Sequence, residues 1–152
     1  MVKRNSTIFF QLVTVFIAIG ALIFMIAEPL FEGRNANATL FQVYFNDAFL
    51  ACAYIASISF FVAIYQAFKL FGYMGENKTF SVKSVQALAA IKYSAMSLII
   101  SLLAGEAYLF IVQRKVEEDI AGGVAMGLML IFVSSVVAIV AGRFERLLQN
   151  KL

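Results

Sequence analysis

An all-α integral membrane bundle of four helices, with both termini on the cytoplasmic side, is the fold class this sequence predicts, and three observations predict it. Hydrophobic residues make up 62% of the 152 positions and charged residues only 14%, with a mean hydropathy of +0.90. A soluble domain carries about 25% charged residues. Three windows, 5–27, 48–68 and 120–142, contain no Asp, Glu, Lys or Arg and run 21 to 23 residues. At about 1.5 Å per residue, each covers the roughly 30 Å hydrocarbon core as a helix. A fourth apolar segment, 85–112, is interrupted only by Lys92 and Glu106. One membrane domain over residues 1–152 follows, with spans at about 6–29, 45–71, 84–112 and 120–146.

The first span follows Lys3 and Arg4. Its apolar run exceeds the about 7 to 15 residues of a signal-peptide core and is therefore read as a helix that stays. It is filled with Phe, Ile, Leu and Val, with Ala18, Gly20 and Ala21 as small residues in its middle, which makes it the expected lipid-facing helix. The longest non-spanning stretch follows, from Leu30 to about Tyr44. At the end of the second span, Gly72 and Gly75 are expected to close the helix, since glycine tolerates the left-handed conformation of a C-cap.

The polar segment 72–93, "GYMGENKTFSVKSVQALAAIKY", leads into the third span. Ser81 is the expected N-cap, with Phe80 and Val85 placed as a hydrophobic staple. Val85, Leu88, Ala89, Lys92 and Tyr93 then follow helical spacing, so the helix starts in the interface and Lys92 snorkels toward headgroups. Small residues recur every fourth position: Ser59, Ala63 and Ala67 on the second span; Ser97, Ser101 and Gly105 on the third; Gly123 and Gly127, then Ser134, Ala138 and Gly142 on the fourth. Such spacing lets helix backbones meet in lipid, where association depends on close van der Waals approach. The glycine face of the fourth span is also the candidate surface for a homo-oligomer.

Charge by side sets the orientation. Lys3, Arg4, Lys69, Lys78, Lys83, Lys92, Arg143, Arg146 and Lys151 fall on one side, and Arg34, Arg114 and Lys115 on the other. Nine against three places the termini and the middle loop in the cytoplasm of a multi-pass protein of the inner membrane. The net charge of +3 is accounted for by this asymmetry, and direct nucleic-acid binding is not expected.

The candidate sites lie at opposite ends. Lys78 and Lys83 with Tyr73 and Phe80 form a candidate docking loop for a cytoplasmic partner, against the blander reading of a loop with lipid anchors. Glu106 is an ionisable group inside a span, which is costly unless it is protonated, paired or wetted. Arg34 and Arg114 are its candidate partners, and Asn46 and Asp47 are placed to line the same outer vestibule. The chain has no histidine and the single cysteine Cys52. An intramolecular disulfide is thereby excluded, and zinc and haem have almost no ligands to use. No cofactor or metal is expected. No metalloprotease, nucleophile-elbow or phosphate-loop motif occurs, so the protein is read as no enzyme. The sequons at Asn37 and Asn77 are read as chance.

The stretches "FFVAIYQAFKLFGYM" and "NKTFSVKSVQALAAIKYSA" resemble a family of uncharacterised bacterial four-span membrane proteins known as a domain of unknown function. The matching residues are Gln66, Ala67, Phe68, Lys69 and Leu70, then Phe80, Ser81, Ser84, Val85, Leu88, Ile91, Lys92 and Tyr93. The resemblance implies no activity or catalytic residue. It implies a membrane partner for a small helix-turn-helix regulator of the Cro type, because such a gene often lies beside those of the family. Family members often continue into a short acidic and hydrophobic tail, whereas this chain stops at Leu152. Two functions therefore stand open: a non-enzymatic sensor or scaffold that docks a cytoplasmic regulator at the loop, and a small transporter or immunity-type protein that uses Glu106.

Overall fold

The computed structural model of the chain describes residues 4–31, 36–46, 48–112 and 120–152. Among these residues the regular elements are five helices: α1 (Arg4–Phe31), α2 (Leu40–Phe45), α3 (Ala48–Gly75), α4 (Val82–Ile111) and α5 (Ala121–Gln149). All but α2 are long and apolar enough to cross a membrane. Each long helix overlaps one expected span, and α3 lies three to four residues further along the chain than expected. The shift has a local cause, because α2 and its C-cap Asn46 occupy the positions where the second span was expected to begin.

The long helices pack on their neighbours in sequence: α1 on α3, α3 on α4, and α4 on α5. Packing is antiparallel. Thr7 meets Gly75 near the start of α1 and the end of α3, while Lys92 meets Glu145 near the start of α4 and the end of α5. The start of α1, the 76–81 loop and the end of α5 therefore share one end of the bundle, here the loop end. α4 sits in the middle and buries the most residues, whereas α1 buries only Thr7, Thr14 and Pro29.

The residues turned inward are those that suit lipid surroundings, where no hydrophobic force drives helix onto helix. On α1 the less exposed positions include Thr7, Gln11, Thr14, Ala18, Ala21 and Met25, while Phe9, Phe16, Ile23 and Phe24 are more than half exposed. The buried hydroxyls bond to their own helix: Thr7 Oγ1 donates to the Arg4 carbonyl at 2.8 Å and Thr14 Oγ1 to that of Gln11 at 2.7 Å. This back-bonding satisfies a polar group that would otherwise be stranded in hydrocarbon.

On α5 the inward line reads Val124, Gly127, Ile131, Ser134, Ala138, Ala141, Glu145 and Leu148, alternating steps of three and four. This seven-residue period is that of left-handed helix packing. At the loop end the seam closes as an apolar cluster of Val85, Leu88, Ile91, Ala141 and Leu148, joined by Ala67 and Leu70 of α3.

The glycines at the end of α3 act differently from the expected closure. Gly72 and Gly75 are helical, and among the described residues no glycine has positive φ and the left-handed position is Asn77, at φ 59°. Both glycines instead admit α1. A Cβ on Gly75 would lie 2.7 Å from Thr7 Oγ1, and one on Gly72 would lie 3.0 Å from Gln11 Nε2. That Gln11 amide donates to the Phe68 carbonyl at 3.2 Å, which ties the two helices together. Asparagine takes the left-handed turn because its short polar side chain tolerates that region.

Candidate functional site

The loop end is built from the turn upward. Asn77 N–H donates to the Met74 carbonyl and Lys78 N–H to that of Tyr73, at 3.3 and 2.8 Å, so Tyr73 supplies backbone to the turn while its ring is half-buried. Ser81 caps α4 by accepting from Ser84 N–H at 3.2 Å, and Ser84 Oγ donates to the Lys78 carbonyl at 2.9 Å. Ser84 is fully buried. Cap and turn are thereby welded into one unit.

Of the side chains expected on this surface, Lys78 is partly committed, its Nζ standing 2.6 Å from Glu76 Oε2. The hydrogen bond from Lys78, reinforced by its charge, holds the Glu76 carboxyl below the usual carboxylate range, and the same contact raises Lys78. Glu76 therefore contributes above about pH 4.3 and loses its share as acid protonates it; Lys78 contributes below about pH 10.4 and loses its share in base. Both side chains lie in water, so the pair orders the loop more than it stabilises the fold. Phe80 is 59% exposed and Lys83 is exposed. The Phe80 ring lies under Lys151, whose Nζ is 5.1 Å from the ring centroid. This cation–π contact brings the C-terminal residues onto the loop.

One feature of this end lies outside the sequence reading. Lys92 does not simply snorkel: its Nζ donates to Glu145 Oε2 at 2.6 Å, with Gln149 Nε2 3.5 Å from the other carboxylate oxygen. Its stem passes 3.3 Å from where a Cβ on Gly142 would stand. The available signal was a lone Lys and a lone Glu, each a few turns from the loop end, on adjacent antiparallel spans.

At the far end Glu106 is 8% exposed, and its Oε2 is buried with no hydrogen-bond partner among the described residues. Its carboxyl lies against Gly127 of α5; a Cβ there would overlap Oε1 and stand 2.8 Å from Cδ. One step along α4, Gly105 receives the Phe49 ring of α3 at 3.6 Å, and one turn further Leu109 packs on Gly123 at 3.2 Å, both measured from the glycine Cβ position. Asn46 is the exposed C-cap of α2 and does not hydrogen-bond to the buried Glu106 Oε2. Asp47, Arg34 and Arg114 lie outside the described residues. Of the remaining small residues, Ser97 Oγ accepts from Ser59 Oγ across α3–α4 at 2.9 Å, and Ser101 Oγ donates to the Ser97 carbonyl at 3.0 Å. Ala138 lies half-buried on the α5 line. Among the described residues no group of three His, Cys, Asp or Glu side chains gathers in a way that would hold a metal.

Four apolar spans, welded at one end and holding an orphan carboxyl at the other, define an integral membrane protein. A model of the family described as "Protein of unknown function (DUF2975)" matches residues 11–152, and the chain belongs to that family. It is 35% identical over 155 residues to the "Uncharacterized membrane protein YoaS" of Bacillus subtilis (strain 168), covering 99% of this chain and 93% of the relative. No solved structure matches.

Proposed function

We propose that the protein is a non-enzymatic scaffold or sensor of the bacterial cell membrane, and that its loop end faces the cytoplasm and docks a cytoplasmic protein. The observation that carries this reading is the exposed Phe80 ring, held between a rigid cap and Lys151 and set beside Lys83. An aromatic ring fixed on a rigid support loses little entropy on binding, which is what makes aromatic residues frequent anchors at interfaces. The cationic rim favours an acidic partner surface. A small helix-turn-helix regulator with an acidic patch away from its DNA face fits both features. The orientation is supported by the nine Lys and Arg residues assigned to this side in the sequence.

The test is purification from the native membrane in mild detergent, with co-purifying proteins quantified by mass spectrometry for the wild type and for Phe80→Ala/Lys83→Glu. Recovery of a small DNA-binding protein that the variant loses at least tenfold supports the reading. Equal recovery from both proteins overturns it.

A further inference from the structure

We infer that Glu106 is a proton-binding site at the far end of the α4–α5 seam, and that the bound proton is what lets α4 and α5 close on each other there. A buried carboxyl with an unpartnered oxygen supports this, together with the absence of a side chain at Gly127, the position facing it. In apolar surroundings an isolated carboxylate is strongly disfavoured, and such a group neutralises or finds a partner.

The elements packed around Glu106 offer no such partner among the described residues. α5 presents Gly127, and no residue of α5 from 121 to 142 is titratable. α3 presents Phe49 beside Gly105, and its nearest titratable side chain in sequence is the half-buried Cys52. On α4 itself Tyr108 stands two residues on, and neither it nor Cys52 hydrogen-bonds to the carboxyl among the described residues. The charged residues Arg114 and Lys115 lie outside the described residues.

The seam then has two unlike fastenings. At the loop end Lys92 and Glu145 pair at 2.6 Å across α4 and α5, a contact between opposite charges. At the far end the contact is a flat carboxyl on a glycine, close-packed only while the carboxyl is neutral. Loss of the proton would leave a bare carboxylate that must be hydrated, and parting the two helices is what admits water to its buried oxygen. The loop end would stay shut, so the seam would open from the far end. This inference is independent of what docks at Phe80.

Two readouts on the full-length protein in liposomes test it. N,N′-dicyclohexylcarbodiimide, a lipid-soluble reagent that adds to protonated carboxyls in apolar surroundings, should modify Glu106 at about pH 7, where an exposed Glu of ordinary value about 4.3 is ionised. The modified residue is located by peptide mass. A second readout uses Leu109→Cys with Gly123→Cys in a Cys52→Ala background, bridged by a short bis-methanethiosulfonate. Bridging should fall at least threefold from acidic to alkaline buffer as the carboxyl ionises, and should stay constant when Glu106→Gln is added, because a neutral amide keeps the seam closed. An unmodified Glu106 at neutral pH overturns the proton site. Bridging that is independent of pH, or that falls equally in the Glu106→Gln protein, overturns the coupling to the seam.

Discussion

Glycines that look alike in the sequence differ sharply in what a methyl group would meet. At Gly127 it would overlap the Glu106 carboxyl, whereas at Gly122 and Gly20 it would meet nothing within 4 Å. Gly127→Ala should therefore displace the buried Glu106 carboxyl from its place on α5 and cost about 1–3 kcal/mol, the usual penalty of overpacking. Gly122→Ala should be neutral or slightly stabilising, as alanine favours the helix. Thermal unfolding of the purified protein in detergent checks both, and equal melting of the two variants would refute the contrast. The regular spacing of Gly123 and Gly127 and the lone charge of Glu106 were each legible in the sequence. Their meeting was not, because it depends on the antiparallel register of two helices, which no local pattern encodes. The Lys92–Glu145 pair escaped for the same reason. It predicts that Lys92→Glu or Glu145→Lys alone lowers the melting temperature and that the charge-swapped double variant recovers much of the loss.

At the scale of elements, three spans were legible because uncharged windows of 21 to 23 residues have few other uses, and the fourth because only Lys92 and Glu106 interrupt its apolar run. The short α2 was not, since six residues show no period. Its signal was local: Thr39 and Gln42 form a capping box, with Gln42 N–H donating to Thr39 Oγ1 at 3.3 Å and Thr39 N–H to Gln42 Oε1 at 3.0 Å. α2 has a task that explains its placement. Pro29 lacks an N–H, so the Met25 carbonyl four residues back in α1 loses its usual helical donor. Tyr54 of α3 points its hydroxyl at that carbonyl at 3.4 Å, and Tyr44 of α2 donates to the adjacent Ile26 carbonyl at 2.7 Å. The far end of α1 is thus held by two tyrosines from outside the helix. Tyr44→Phe removes only a hydroxyl and should cost about 0.5–1.5 kcal/mol, whereas Tyr54→Phe, with the longer contact, should cost less. Matched unfolding measurements give the order, and a larger loss at Tyr54 would reverse the account.

For the whole molecule, packing in sequence order puts α3 and α4 inside the row and leaves α1 attached through α3 and α2. Fold class was legible because hydropathy alone fixes how many segments lipid accepts. The row of neighbours was not, because small-residue spacing shows which face packs without naming its partner. The arrangement does fix one large-scale property: with four spans, the start of α1, the 76–81 loop and the end of α5 share a side. The sequence assigns nine of the twelve Lys and Arg residues to that side, and an anionic inner leaflet attracts each such residue near the surface by about 1 kcal/mol. The sum over several residues far exceeds thermal energy, so one orientation should dominate. In a Cys52→Ala background, single cysteines at Asn77 and Asn150 should react with a membrane-impermeant maleimide only after the cells are opened, while one at Asn37 should react in intact cells. All three residues are exposed, so a silent position reports its side of the membrane and not burial. Labelling of Asn77→Cys in intact cells would invert the protein, and with it the docking surface at Phe80.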